Sequence, residues 1–248
     1  MNTQLIFKFL KDVAANNNRP WFAEHKDQYL AAKADFEKGV EQAINALGAM
    51  DETVAHLTVK DCVYRFYRDT RFSPDKSPYK RHLGAYICAK GKKSLRGGYY
   101  IHLEPGNCLL ATGSYWLPTN ILTSCRNEIM GNTEQWLSAV ENPQFVRLFG
   151  RPGAGVWPET SGDYEEQQAA KAKTSAKGFG LTMLKTCPAG FPRDYEHIEY
   201  LRMKDYCCWR SVPDTFFEGD AWLTEAMKIL KVAKPMMDFM NAVIDDYE

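Results

Sequence analysis

Two short runs, Leu83-x-Ala85-x-Ile87 and Tyr99-x-Ile101-x-Leu103, carry a side-chain period of two and flank the glycine- and lysine-rich loop 90–97. Successive side chains of a strand point to opposite faces. Paired as a hairpin with like facing like, the runs put these six residues on one face. His82, Tyr86, Tyr100, His102 and Glu104 fall on the other. A slip of one residue would mix the two sets, so the pattern itself fixes the register. Glu104-Pro105-Gly106-Asn107 is a turn signal, proline presetting φ and glycine free to take φ > 0, and a further strand is expected at 108–115. Upstream, 62–69 also alternate, with Cys62, Tyr64, Phe66 and Arg68 on one face and Val63, Arg65, Tyr67 and Asp69 on the other. The chain is therefore expected to form four consecutive antiparallel strands, with a fifth at 203–210.

Helical spacing surrounds this block. Ile6, Phe9, Leu10 and Val13 predict an opening helix that stops at Asn16-Asn17-Asn18. Pro20 suits the first turn of a second helix running to about Gly48. Leu122, Cys125, Ile129, Trp136, Leu137 and Val140 repeat the period after Pro118, and a shorter helix is expected at 143–149. Asp194 opens a short helix through Ile198 and Leu201. Leu223, Met227, Leu230, Met237, Met240 and Ile244 stripe a last helix kinked at Pro235. The expected architecture is α+β: a central, mainly antiparallel sheet of about five strands packed against N-terminal, middle and C-terminal helices. We expect one domain with a polar insertion around 151–180. At 248 residues, such a fold can bury roughly 70 % of its unfolded surface without staples.

Net charge is zero, but it is unevenly spread. Residues 60–96 hold eleven lysines and arginines against three aspartates, a local +8 balanced by −8 elsewhere. Nucleic-acid binders are usually basic overall, so this looks like a local site on a neutral body. Within it, 65–82 alternates cations and aromatics and is interrupted by Pro74 and Pro78. Guanidinium forks suit phosphate or carboxylate, and lysine adds a point charge. Arg65 and Arg68 point to opposite faces of a regular strand. Arg68, Arg71, Lys76 and Lys80 lie on or beside the turn, where a curling backbone lets them converge on one anion. Tyr67, Tyr79 and Tyr100 offer hydroxyls or a stacking surface. The competing reading is internal, with Asp69 and Asp75 satisfying these cations as a structural network.

Other chemistry is sparse. The sequence has no HExxH, no Cys/His cluster at zinc spacing, no GxSxG elbow and no Walker loop, so no metal or cofactor is read from a motif. His82, His102 and Glu104 would form a metal or acid–base site only if they share a sheet face. Otherwise they are satisfied polar residues on a solvated face. Seven cysteines, an odd number without a CxxC pair, fit reduced thiols in a cytoplasmic protein. Cys207-Cys208 are expected as buried small hydrophobes rather than a vicinal disulfide. No run reaches membrane-span length, so no membrane partner is expected.

The residues also resemble a known family. Asn16-Asn17-Asn18-Arg19-Pro20-Trp21-Phe22, Arg65-x-Tyr67-Arg68-Asp69-Thr70-Arg71-Phe72-Ser73-x-Asp75-Lys76-x-Pro78-Tyr79-Lys80, Gly98-Tyr99-Tyr100-x-His102-Leu103-Glu104-Pro105-Gly106, Pro188-x-Gly190-Phe191 and a segment from His197 to Lys204 are similar to the bacterial and fungal family called domain of unknown function 2461, over nearly the whole chain. The resemblance implies that Arg65, Arg68, Asp69, Arg71, Lys76, Tyr79, Lys80, His102, Glu104 and Lys204 occupy the family's pattern positions. It implies no activity and no cofactor. The stretch between Gly150 and Gly178 and Cys207-Cys208-Trp209 depart from the pattern.

These residues support three functional readings. The first is a site for a small phosphorylated or carboxylated ligand, held by Arg68, Arg71, Lys76, Tyr79 and Lys80 with Arg65 and Lys204. In it, His102 acts as acid–base and Glu104 orients it. The second is a nucleic-acid surface made of the basic aromatic sheet face and the 90–96 loop. The third is a structural or interaction domain whose arginines and aspartates pair internally.

Overall fold

A computed structural model describes residues 1–153 and 176–248. The sheet has the order β1-β2-β3-β5-β4, built from β1 (Leu83–Ile87), β2 (Gly98–Leu103), β3 (Cys108–Ser114), β4 (Lys177–Phe179) and β5 (Tyr206–Val212), and every neighbouring pair is antiparallel. Leu83 faces Leu103, Ala85 faces Ile101 and Ile87 faces Tyr99, the register expected from the alternation. This is an α+β fold with the sheet packed against helices.

The membership of the sheet differs from expectation. Residues 62–69 do not form a strand. The Thr58–Asp61 capping box starts a helical turn, α4 (Val59–Cys62), and the residues beyond it make only the isolated bridges Val63↔Ala85 and Tyr67↔Tyr79. The strand expected at 203–210 forms as β5, and the sheet's remaining member is β4, inside the span expected as a polar insertion. The rest of that span, 154–175, lies outside the described residues. Thr112 pairs with Cys208 and Gly113 with Cys207, so the adjacent cysteines face opposite sides of β5, and both are free thiols.

The N-terminal helices are α1 (Thr3–Ala15), α2 (Arg19–Glu24) and α3 (Lys26–Gly48). Asn18 caps α2 by accepting from the Trp21 N–H at 3.0 Å, with Pro20 in the first turn. The single helix expected from Pro20 to Gly48 breaks at His25, whose ring stacks on Trp21 at 4.2 Å while Nδ1 meets the Trp21 carbonyl at 2.8 Å. A similar break at Asn132 separates α5 (Thr119–Gly131) from α6 (Thr133–Val140), and α7 (Pro143–Phe149) comes next with Asn142 as its cap. The short α8 (Ile198–Arg202) precedes β5, and α9 (Trp222–Ile244) runs through Pro235. Met236, Met237 and Met240 of α9 are buried, so its methionine stripe packs into the core.

One sheet face, carrying Leu83, Ala85, Tyr99, Ile101, Leu103, Leu110 and Tyr206, joins the helices in the main core. Trp136 is fully buried there among Tyr200, Tyr206 and Phe239. The second face carries Tyr86, Tyr100, His102, Ala111, Cys207 and Trp209, the alternate residues of the same strands. Leu109, Ala111 and Trp209 make a small separate cluster on it with Tyr100 and Leu181.

Candidate functional site

A pocket of about 400 Å³ opens on the second sheet face. Its floor includes Tyr86, Gly98, Tyr100, Gly113 and Cys207, and its walls include Tyr64, Lys80, His82, Lys92, Tyr115 and Trp116. Glycine creates part of the room. A Cβ on Gly98 would stand 3.0 Å from the Tyr86 ring and 2.6 Å from the Ile87 carbonyl oxygen. Gly113 has φ +116°, and a Cβ there would meet the Tyr206 carbonyl oxygen at 2.0 Å, so glycine is required.

Lys80 reaches this pocket because three contacts fix its backbone. Its N–H donates to the Phe66 carbonyl at 2.9 Å. Asn17 grips the preceding residue from both sides, Nδ2 donating to the Tyr79 carbonyl at 2.9 Å and Oδ1 accepting its N–H at 3.1 Å. The Tyr79 ring is buried against Phe22 at 4.0 Å. Beyond this anchor, Lys80 Nζ sits 5.3 Å from the centre of the Tyr64 ring, a cation–π distance. Among the described residues it has no carboxylate partner. Burial pushes its pKa down, with the charge of Arg65 adding to the effect.

Behind Tyr100 runs a hydrogen-bonded chain. The Tyr100 hydroxyl lies 2.8 Å from His102 Nδ1, His102 Nε2 lies 3.3 Å from Glu104 Oε2, and the Asn107 amide donates to the same oxygen at 2.7 Å. A neutral imidazole has one N–H. The chain closes when Nε2–H donates to Glu104 and Nδ1 accepts the phenol proton. His102 and Glu104 are each 2 % exposed, so the solvated sheet face expected for them is not what surrounds them. The His82 ring packs on His102 at 4.4 Å. Burial raises the Tyr100 phenol pKa, with the nearby Tyr64 and Glu104 acting in the same direction. Burial likewise raises the Cys207 thiol. Both stay protonated near neutrality, so Tyr100 is a hydroxyl donor and Cys207 is no thiolate nucleophile.

The turn holds the other cations differently. Arg68 Nη1 pairs with Asp75 Oδ2 and donates to Ser77 Oγ at 2.7 Å and the Ser77 carbonyl at 3.1 Å, while Nη2 reaches Ser73 Oγ at 3.2 Å. Arg71 forks onto Asp69 at 3.0 and 2.8 Å, with 77 % of its side chain exposed. Lys76 Nζ donates to the Thr70 carbonyl at 3.0 Å. The Arg71 hydrogen bonds hold the Asp69 carboxyl down at about 2. For Asp75, burial acts upward, but hydrogen bonds from Ser77 and Arg68 outweigh it and the pKa is lowered. Arg65 and Lys204 are exposed and are not among the residues that line the pocket.

Of the cations expected to converge at the turn, Lys80 alone lines the pocket, and it does so with His82 and Tyr100. The sequence places Tyr86 on the second face and Lys92 in the 90–96 loop without marking either as a pocket residue, and no pattern singles out Tyr64, Tyr115 or Trp116. The one signal for the rim is the Tyr115-Trp116 pair directly after β3, 68 % and 66 % exposed. Lys92 donates to the Lys60 and Asp61 carbonyls at the end of α4, at 2.6 and 3.2 Å. The neighbouring rim residues are tied to the C-terminus: Glu248 accepts the Leu95 N–H at 2.7 Å and the Ser94 hydroxyl.

Fold and site together define an α+β protein with an aromatic, lysine-bearing pocket on the sheet face away from the main core. The chain belongs to the family described as conserved hypothetical protein (DUF2461), whose model matches residues 5–239. No curated protein and no solved structure matches it. Among the described residues, no helix is long and apolar enough to cross a membrane.

Proposed function

We propose that the pocket on the second sheet face binds a small molecule bearing a phosphate or carboxylate group. The observation that carries this reading is Lys80, drawn into the pocket wall beside Tyr64 without a carboxylate partner among the described residues. A partly buried ammonium is costly unless something compensates it, and an incoming anion does so. Tyr100 adds a hydroxyl donor, and exposed Tyr115 and Trp116 offer faces for a flat or apolar part of the ligand. The volume suits a metabolite-sized molecule.

Of the residues singled out by sequence, this site uses Lys80, with His102 and Glu104 behind Tyr100 as the acid–base chain. A proton released to Tyr100 can pass to His102 while Glu104 balances the imidazolium. Arg71 and Lys76 face outward on the turn and take no direct part. The nucleic-acid reading has less support, because Lys90 and Arg96 lie 3.5 and 3.3 Å from Asp245 and Lys92 is engaged with carbonyls.

Thermal-shift measurements against nucleotides, sugar phosphates and dicarboxylates test the proposal. Stabilisation by at least one such compound is expected, lost in Lys80→Ala and kept in Arg71→Ala. A response lost in Arg71→Ala and kept in Lys80→Ala would overturn it.

A further inference from the structure

The register that pairs Leu83 with Leu103 brings His82 opposite Glu104 one step further along. One ligand atom from each of them and one from His102 lie within 4.8 Å of one another. We propose that His82, His102 and Glu104 bind a divalent transition-metal ion, with zinc as the representative probe.

Two imidazoles and one carboxylate form a donor set that zinc and its neighbours accept, with ligand bonds of about 2.0–2.2 Å. Nε2 of His102 and Oε2 of Glu104, 3.3 Å apart, already have the separation of two atoms sharing one ion. Closing His82 onto them from within 4.8 Å asks for side-chain shifts of roughly 1.5 Å or less at such bond lengths. The surroundings supply the outer support that metal ligands need. Asn107 holds the Glu104 carboxylate at 2.7 Å, and Tyr100 meets the far nitrogen of His102 at 2.8 Å. Gly84 leaves space for that second contact, since a Cβ there would stand 2.8 Å from the Tyr100 hydroxyl.

Loading the site has a defined consequence for protons. When Nε2 of His102 gives its lone pair to the ion, the single imidazole proton must sit on Nδ1 and be donated to the Tyr100 oxygen. The Tyr100 hydroxyl then no longer donates to His102. His82 lies on the pocket wall, so the ion would sit beside the pocket. The metal site does not depend on whether the pocket takes an anion, and with the ion bound His102 no longer accepts a proton from Tyr100, so the acid–base chain belongs to the metal-free protein.

The test uses the full chain, freed of any affinity tag, stripped with chelator, loaded with zinc and desalted. Elemental analysis is expected to give about one zinc per chain for wild type. His82→Ala should hold less than a tenth of that, and cobalt(II) should give visible d–d bands in wild type that His82→Ala lacks. His82 is only partly buried; the variant removes the ring packed on His102 at 4.4 Å but keeps both His102 and Glu104, and circular dichroism checks that it folds. Lys80→Ala should bind zinc like wild type even where it loses the anion response, which separates the two proposals. Wild type holding no zinc after desalting, or His82→Ala holding as much as wild type, would overturn the metal site.

Discussion

The turn at 68–77 and the pocket beyond it use the same kinds of cation in opposite ways. In the turn, Arg68 and Arg71 each meet a carboxylate of their own segment, Asp75 and Asp69. In the pocket, Lys80 faces tyrosines and histidine instead. Positive charge density along a sequence therefore does not locate a ligand. What distinguishes the two regions is whether acids lie within reach of each cation once the chain has folded. The turn supplies its own anions and becomes structure, whereas the pocket is proposed to take its anion from solution.

Breaking the turn should give the largest stability effect. Arg68→Ala leaves Asp75, whose side chain is 9 % exposed, with Arg81, 3.9 Å away, as its remaining guanidinium. Loss of about 2–3 kcal/mol is expected in urea denaturation, with ligand-induced stabilisation intact. If Arg68→Ala melts like wild type, the turn is not held by this pair. Removing the pocket cation should do the reverse. Lys80→Ala should weaken binding of a responding phosphate or carboxylate compound about tenfold or more in calorimetry, in line with about 1.5–3 kcal/mol for a charged hydrogen bond. Its folding stability should stay at or slightly above that of wild type. Unchanged affinity would put the anion elsewhere.

Acid sharpens the comparison further. The folded-state pKa of Asp75 is lowered from 3.8, so its carboxylate contributes stability that is fully present well above 3.8. That contribution is lost as pH falls through the depressed folded value. Asp75→Asn should be less stable than wild type near neutrality, and the gap should narrow on acidification below 3.8. A gap independent of pH would remove the charge from the explanation. The smallest effect is expected for Arg71→Ala. Its exposed pair with Asp69 is a surface ion pair, so the melting temperature should not move measurably.

Much of the fold was legible because it rests on local alternation and helical period. The β1–β2 register could be read since a slip would have mixed Leu83, Ala85 and Ile87 with tyrosines and histidines. The 62–69 segment misled because alternation says nothing about partners. The Thr58–Asp61 capping box consumes its start, and beyond it only isolated bridges form. The edge strand β4 carries no signal of its own. Three residues long, it is defined by β5 and by Trp209 lying over Gly178, where a Cβ would meet the indole at 2.0 Å. The helix break at His25 was hidden because the apolar stripe continues across it.

The site was legible to a similar degree and for similar reasons. Period two placed His102 and Glu104 on one face, but not their burial, which depends on what covers that face. The separation of Lys80 from Arg68 was not legible at all. It depends on Asn17 clamping Tyr79 from 62 positions away, and no pattern within 65–82 reports that contact.

We propose that the anion belongs to the pocket and not to the turn. A crystal structure of the full chain grown with inorganic pyrophosphate tests it most directly. Phosphate density is expected within hydrogen-bonding distance of Lys80 Nζ, beside Tyr64 and Tyr100. Density on Arg68 or Arg71 with the pocket holding only water would contradict it.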